Sequence, residues 1–105
     1  MKAIINGLRY DTDKATLIGE ASHGYSGDFT RWEAGLYRTP RSGRYFLAGA
    51  GGPMTRFARR GPGQNERQGS SGIQQMDAAE ALEWAEEHLT IDEVEAGFGK
   101  TLEDA

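Results

Sequence analysis

Strand-like alternation of apolar and polar residues dominates the first two thirds of the chain, and helical spacing dominates the last third. The apolar residues 3–5 are followed by Asn6-Gly7, a dipeptide typical of a tight β-hairpin turn, and then by a second extended stretch at 8–10. This order predicts a first hairpin. Residues 15–21 suit either a strand or the start of a short helix, and we predict a strand.

The clearest β pattern lies in residues 29–39, where apolar side chains occupy alternate positions. A four-residue connection that contains Pro and Gly separates them from residues 44–48, so the two segments are predicted to form an antiparallel hairpin with one buried face. The glycine-rich, polar stretch 49–72 is too long for a simple connection and is expected to be functional or mobile. Residues 73–76 are predicted to return as an edge strand.

Two capping boxes mark helix starts in the last third of the chain. Asp77 with Glu80 begins a helix predicted over 78–89, and Thr90 with Glu93 begins a shorter second helix. The residues expected to face the core are Ala78, Ala81, Leu82, Ala85 and Leu89 in the first helix, and Ile91, Val94 and Phe98 in the second.

These elements together predict one α+β domain over residues 1–105, with hairpins of an antiparallel sheet in the N-terminal two thirds packed by two C-terminal helices. The segment 98–105 is expected to be a frayed tail.

Charge is strongly segregated along the chain. Residues 1–76 hold eleven basic and six acidic side chains, a balance of +5, whereas residues 77–105 hold one lysine and ten acidic side chains, a balance of -9. The net charge of -4 conceals this division. Segregated charge governs association more than folding, so it directs attention to partner surfaces.

Few residues have the spacing that catalysis or metal binding requires. The chain has no cysteine, and His23 and His88 are not spaced as metal ligands. The glycine-rich segment 49–53 lacks the spacing and the lysine of a phosphate-binding loop and is expected to be a turn or bulge. A third hypothesis is a small enzyme that acts through the loop from His23 to Asp28, but the sequence has no nucleophile-elbow motif to support it. We therefore expect a protein that is not an enzyme and uses no cofactor or metal.

Two features predict the compartment. The lack of cysteine fits a reducing environment, and the first residues lack the apolar stretch of a secretory signal. No segment of the sequence has the length of apolar residues that a membrane span needs. We expect a cytoplasmic protein with no membrane partner.

Two charged surfaces are candidate binding sites. The acidic one is expected on the first helix and the start of the second, where glutamates one helical turn apart would imitate a row of phosphates and Trp84 would serve as an anchor. The alternative is a solvated helix face with Trp84 packed under the second helix. The basic one would bind nucleic acid through arginines in the hairpin turn and the glycine-rich stretch. The acidic set is Glu80, Glu83, Trp84, Glu86, Glu87, Asp92 and Glu93, and the basic set is Arg41, Arg44, Arg56, Arg59, Arg60 and Arg67.

Several motifs in order resemble a group of small phage and mobile-element proteins that includes an inhibitor of type I-C CRISPR–Cas systems. The resemblance extends from about residue 4 to residue 89. The sequence differs from the group after the Gly-Gly-Pro motif, where this chain has arginines. The motifs are Asn6-Gly7-Leu8-Arg9-Tyr10-Asp11-Thr12, Gly24-Tyr25-Ser26-Gly27-Asp28-Phe29, Leu36-Tyr37-Arg38-Thr39, Tyr45-Phe46-Leu47, Gly51-Gly52-Pro53 and Glu83-Trp84-Ala85-Glu86-Glu87.

The resemblance implies an anti-CRISPR protein that binds the type I-C Cascade surveillance complex and blocks its binding to target DNA. It supplies no catalytic residues. Because the DNA-binding surface of such a complex must hold a nucleic-acid backbone, the resemblance favours the acidic surface as the partner-binding site, by phosphate mimicry. The alternative is a nucleic-acid-binding accessory protein of phages or mobile elements that uses the basic set.

Overall fold

The computed structural model describes residues 1–25, 27–61 and 67–105. In these ranges the chain forms strands first and helices last, so the predicted α+β fold is confirmed. The elements are β1 (Lys2–Ile5), β2 (Leu8–Asp11), β3 (Thr16–His23), β4 (Trp32–Arg38), β5 (Tyr45–Gly51), β6 (Arg59–Arg60), β7 (Arg67–Gln68), β8 (Ser70–Met76), α1 (Ala78–His88) and α2 (Ile91–Phe98), followed by a 3₁₀ turn at Gly99–Thr101.

The central sheet has four antiparallel strands in the order β3-β4-β5-β8. The strand predicted over residues 15–21 is confirmed as β3, and the predicted edge strand is confirmed as β8, which begins earlier than expected at Ser70. The predicted hairpin of residues 29–39 and 44–48 is confirmed as β4 and β5, although β4 begins only at Trp32. Leu36 pairs with Leu47 across this hairpin, and both side chains are fully buried beneath the helices.

The first hairpin forms as predicted at Asn6-Gly7. Both turn residues have positive φ, 52° and 79°, as a two-residue hairpin turn of this type requires. This hairpin covers the face of the sheet that the helices leave free: Tyr10, only 2% exposed, packs edge-on against Phe46, with ring centroids 5.3 Å apart. The prediction of one buried face is therefore wrong, because Phe46 and its neighbour Leu47 point to opposite faces and each meets a separate core.

Both predicted helices and both capping boxes are confirmed. The inward face of α1 is confirmed for Ala81 and Ala85, whereas the prediction is wrong for Ala78, which is exposed at the first position of the helix. The expected burial of Ile91 is also wrong. Its side chain is 77% exposed, since α2 meets β3 through later residues such as Gly97, where an added Cβ would lie 2.6 Å from the Ile18 side chain.

The end of α2 belongs to the core rather than to a tail. Phe98 is 4% exposed and stacks on Tyr45 with ring centroids 5.2 Å apart. The prediction that fraying begins at residue 98 is therefore wrong at that position, and residues without regular structure begin only after the 3₁₀ turn, at Leu102. In the described ranges, neither helix combines the length and the hydropathy that a bilayer crossing would need.

Candidate functional site

Helix α1 presents a row of glutamates to solvent, as the sequence predicted. Glu80, Glu83, Glu86 and Glu87 are all exposed, and Glu83 is three or four residues from each of the other three. Residues at these spacings are neighbours on a helix surface, so like charges there repel each other. The helix is held in place by Ala81 and Ala85, which have no exposed surface.

Some of these acidic side chains are fixed by the caps. The Asp77 backbone N–H donates to Glu80 Oε1 at 3.1 Å, and the Thr90 backbone N–H donates to Glu93 Oε1 at 3.0 Å. These hydrogen bonds restrict the positions of both carboxylates. Asp92, in the first turn of α2, is exposed.

The glutamates of α1 have little cationic compensation. Among ion pairs between residues in the described part of the chain, the pair that involves this helix joins Glu87 Oε2 to His88 Nε2 at 3.5 Å, and the histidine is charged only when protonated. The other two pairs join Lys2 to Asp11 and Arg31 to Glu33, away from α1. The field along this helix face is therefore strongly negative.

A groove of about 540 Å³ runs beside the glutamates, between α1 and the segment 54–57 that follows β5. We call it the acidic groove. One wall carries Glu80, Glu83 and Glu87, and the floor includes Trp32 at the start of β4. Met54 on the other wall is 69% exposed and offers an apolar surface beside the charged wall.

Four aromatic rings meet in this groove. Trp32 lies 4.9 Å from His88, 6.1 Å from Trp84 and 6.5 Å from His23, measured between ring centroids. Trp84 and His88 are also 4.9 Å apart, as their spacing of four residues on one helix allows. Aromatic pairs at such distances stabilise each other by about 0.5–1.5 kcal/mol beyond their area burial.

Trp84 is not the exposed anchor that the sequence predicted. Its side chain is 7% exposed and belongs to the core beneath the helices. It contributes to the lining of the acidic groove instead, beside Trp32. Sequence reasoning missed Trp32 and the two histidines as parts of the site, because their contacts join β3, β4 and α1 across long separations. The spacing of Trp84 and His88 was the one local signal available.

The far wall is built by close backbone contacts. The Gly52 backbone N–H donates to the Arg31 carbonyl at 2.8 Å, and a Cβ on Gly52 would lie 2.6 Å from the Phe29 carbonyl oxygen. The Gly-Gly-Pro motif thus allows strand and loop to approach each other. The prediction of a turn or bulge over 49–53 is wrong for residues 49–51, which are the last residues of β5 and pair in regular register with β4 and β8. Gln74 Nε2 donates to the Arg56 carbonyl at 2.6 Å, which holds Arg56 at the wall of the acidic groove.

The structure divides the predicted basic set among three places. Arg56 lines the acidic groove, opposite the glutamates. Arg59, Arg60 and Arg67 lie on the short hairpin of β6 and β7, where Arg60 and Arg67 are direct cross-strand partners. The prediction that these arginines act with those of the β4–β5 turn as one surface is therefore not supported.

Arg41 and Arg44 line a separate cleft of about 460 Å³, together with Arg9 and Lys14. We call it the basic cleft. Its acidic residue, Asp11, is 8% exposed and already engaged: it accepts a hydrogen bond from the Asp13 backbone N–H at 3.0 Å and lies 3.8 Å from Lys2 Nζ. Among the described residues, none of the four cations is ion-paired to a carboxylate.

In the loop from His23 to Asp28, which was considered for catalysis, the Asp28 carboxylate makes structural hydrogen bonds. Asp28 accepts hydrogen bonds from the Thr30 side chain at 2.7 Å and the Thr30 backbone N–H at 2.8 Å, and these bonds lower the pKa of Asp28. His23 is exposed and stacks on Trp32. Ser26 lies outside the described residues. In the part of the chain that is described, no three His, Asp or Glu side chains are grouped to hold a metal ion.

Comparison with protein-family models, curated proteins and solved structures gives no match to this chain. The class that its geometry defines is a small α+β protein with an acidic groove and a basic cleft. The resemblance to phage and mobile-element proteins stays a prediction.

Proposed function

We propose that this protein is a non-enzymatic inhibitor that acts in the cytosol of a host cell. It binds the type I-C Cascade complex and prevents the complex from binding target DNA. The partner surface is the exposed face of α1, extended by Asp92 and Glu93 at the start of α2. The sequence motifs support Cascade as the partner, and the acidic side chains of α1 support phosphate mimicry as the mode of binding.

The observation that carries this proposal is the row of carboxylates on α1, none of which forms an ion pair with a Lys or Arg among the described residues. Glu80, Glu83 and Glu87 follow one another at about one helical turn, or roughly 5 Å. A surface that holds a nucleic-acid backbone is lined with Lys and Arg, and it attracts any rigid row of anions. Repulsion between these glutamates destabilises the helix. Such a loss of stability is expected where a surface serves binding and not folding.

Charge reversal on this helix tests the proposal. The double variant Glu83→Lys/Glu87→Lys should fold normally, because both residues are exposed, and should lose binding to purified type I-C Cascade in gel filtration. In a mobility-shift assay, Cascade should then still bind its target DNA when the variant is present. A matched control, Glu20→Lys/Glu33→Lys, changes the same charge on the opposite face of the sheet and should retain inhibition. A folded α1 variant with full inhibition would contradict phosphate mimicry.

The basic cleft favours a second candidate function, the binding of nucleic acid. Four cations from the first hairpin, the β2–β3 connection and the β4–β5 turn line one concavity, and Leu8 and Pro40 add apolar surface on which a base can rest. Lysine and arginine side chains that neutralise phosphates release counterions, so such binding must weaken steeply as salt rises.

The charge-reversed variant Arg41→Glu/Arg44→Glu tests this second function. It should lose the salt-sensitive mobility shift of duplex or single-stranded DNA, and Arg59→Glu/Arg60→Glu should retain it as the matched control. If the control variant loses the shift and the cleft variant keeps it, nucleic acid binds the β6–β7 hairpin and not the basic cleft.

A further inference from the structure

The acidic groove combines two kinds of side chain that each attract cations. Carboxylates of Glu83 and Glu87 line one wall, and the indole rings of Trp32 and Trp84 line the base. A carboxylate wall alone would fit any cation. Indole faces attract planar, weakly hydrated cations most strongly, so the combination is more selective than the helix surface around it.

We infer that the acidic groove binds the guanidinium group of an arginine side chain from a basic segment of a partner protein. The guanidinium stacks on the partly exposed indole ring of Trp32 and donates hydrogen bonds to the glutamates of the wall. The methylene stem of the arginine lies along Met54, whose side chain is 69% exposed. This proposal rests on the proposed function only for the identity of the partner, Cascade.

Charge complementarity supports this occupant. Three glutamates face one arginine across the groove, which leaves the walls negative while both histidines are neutral. Phosphate ligands are repelled by these walls. Lysine fits less well than arginine, because its compact, strongly hydrated ammonium group cannot stack on a ring or form paired hydrogen bonds. Arg56 is the one opposing charge in the lining, and its backbone is fixed by Gln74 at 2.6 Å.

The chain carries its own reporter for this site. Its two tryptophans, Trp32 and Trp84, both line the acidic groove, so the whole tryptophan emission of the protein comes from the proposed binding site. A hexa-arginine peptide titrated into the full chain at fixed salt should change this emission and reach saturation. A hexa-lysine peptide of equal charge should bind several-fold more weakly, since only the guanidinium group stacks.

Neutralising variants separate the groove from the general field of the helix. The variant Glu83→Gln/Glu87→Gln removes two groove carboxylates and should weaken hexa-arginine binding about tenfold. The control Glu20→Gln/Glu95→Gln removes the same charge from exposed positions outside the groove lining and should change binding less than twofold. Equal losses in both variants, or equal binding of the two peptides, would overturn the groove assignment.

The failure of this inference can be distinguished from failure of the proposed function. If hexa-arginine binds as expected and Cascade does not bind the protein, the arginine site stands and the proposed partner is wrong. If Cascade binding survives Glu83→Gln/Glu87→Gln and tryptophan emission does not change on binding, Cascade contacts another surface and the groove inference is wrong.

Discussion

Neutralising Glu83 should make the protein more stable while it weakens partner binding. Glu83 lies between Glu80, Glu86 and Glu87 on the exposed face of α1, and none of these carboxylates pairs with a Lys or Arg within the described ranges. The variant Glu83→Gln removes three like-charge contacts at once. Helix propensity is nearly the same for Glu and Gln, so the change reports on charge alone.

The size of the effect follows from these spacings. Each like-charge contact at three or four residues costs about 0.2–0.5 kcal/mol, so removal of three should stabilise the helix by about 0.6–1.5 kcal/mol. Attraction from Arg56 across the groove and screening by salt reduce this value, and we expect about 1 kcal/mol. For a chain of this length that is a rise in Tm of about 4 °C.

Thermal unfolding monitored by circular dichroism measures this difference. At 0.5 M NaCl the gain should shrink, because exposed charges are screened over shorter distances. Glu95→Gln is a matched control on α2: it removes a single like-charge contact, with Asp92, and should give about a third of the gain. A Tm that is unchanged or lower in Glu83→Gln would refute the claim that these carboxylates are uncompensated.

Three further predictions test the fold and the loop beside the site. Gly49→Ala should unfold the protein or destabilise it by about 3 kcal/mol or more in urea titrations, because its Cβ would lie 2.1 Å from the Glu33 carbonyl oxygen, a rigid backbone atom. Thr90→Ala should lower the free energy of unfolding by about 1 kcal/mol in the same assay through loss of the α2 cap. The hydrogen bonds to Asp28 lower its pKa below the ordinary 3.8, so they stabilise the loop above that pH and are lost as pH falls through the lower value. The Thr30 amide resonance followed against pH should show a midpoint below 3.8, and a midpoint at or above it would contradict the assignment.

The sequence predicted the parts of the fold that short-range chemistry determines. Asn6-Gly7 specifies its hairpin because both residues tolerate positive φ, and the two capping boxes specify where the helices begin. The wrong predictions concern which face of a strand or helix is buried. The helical phase of Ile91 predicts that it faces the core, yet a phase shows only which residues share a face and not how far along the helix the neighbouring sheet extends.

The candidate site was predictable only in its charged half. The glutamates of α1 are close in sequence and their exposure follows from helical spacing, so they were found. Trp32 contacts His88 because β4 packs against α1, although more than fifty residues of sequence separate the two side chains. No local pattern in the sequence encodes that contact. The basic set shows the same limit: arginines that are close in sequence, such as Arg56 and Arg59, are placed by the fold on different surfaces.

Strand β4 separates the two charged sites. Trp32 begins this strand in the acidic groove, and Arg38 ends it just before the turn that carries Arg41 and Arg44. A seven-residue strand at about 3.3 Å per residue places its ends roughly 20 Å apart, which is about two and a half Debye lengths at physiological salt. The two fields therefore act nearly independently in solution. One molecule can hold a basic protein surface at one end of β4 and leave its cations available at the other, so a loss of function from either pair of charge reversals should leave the other site intact.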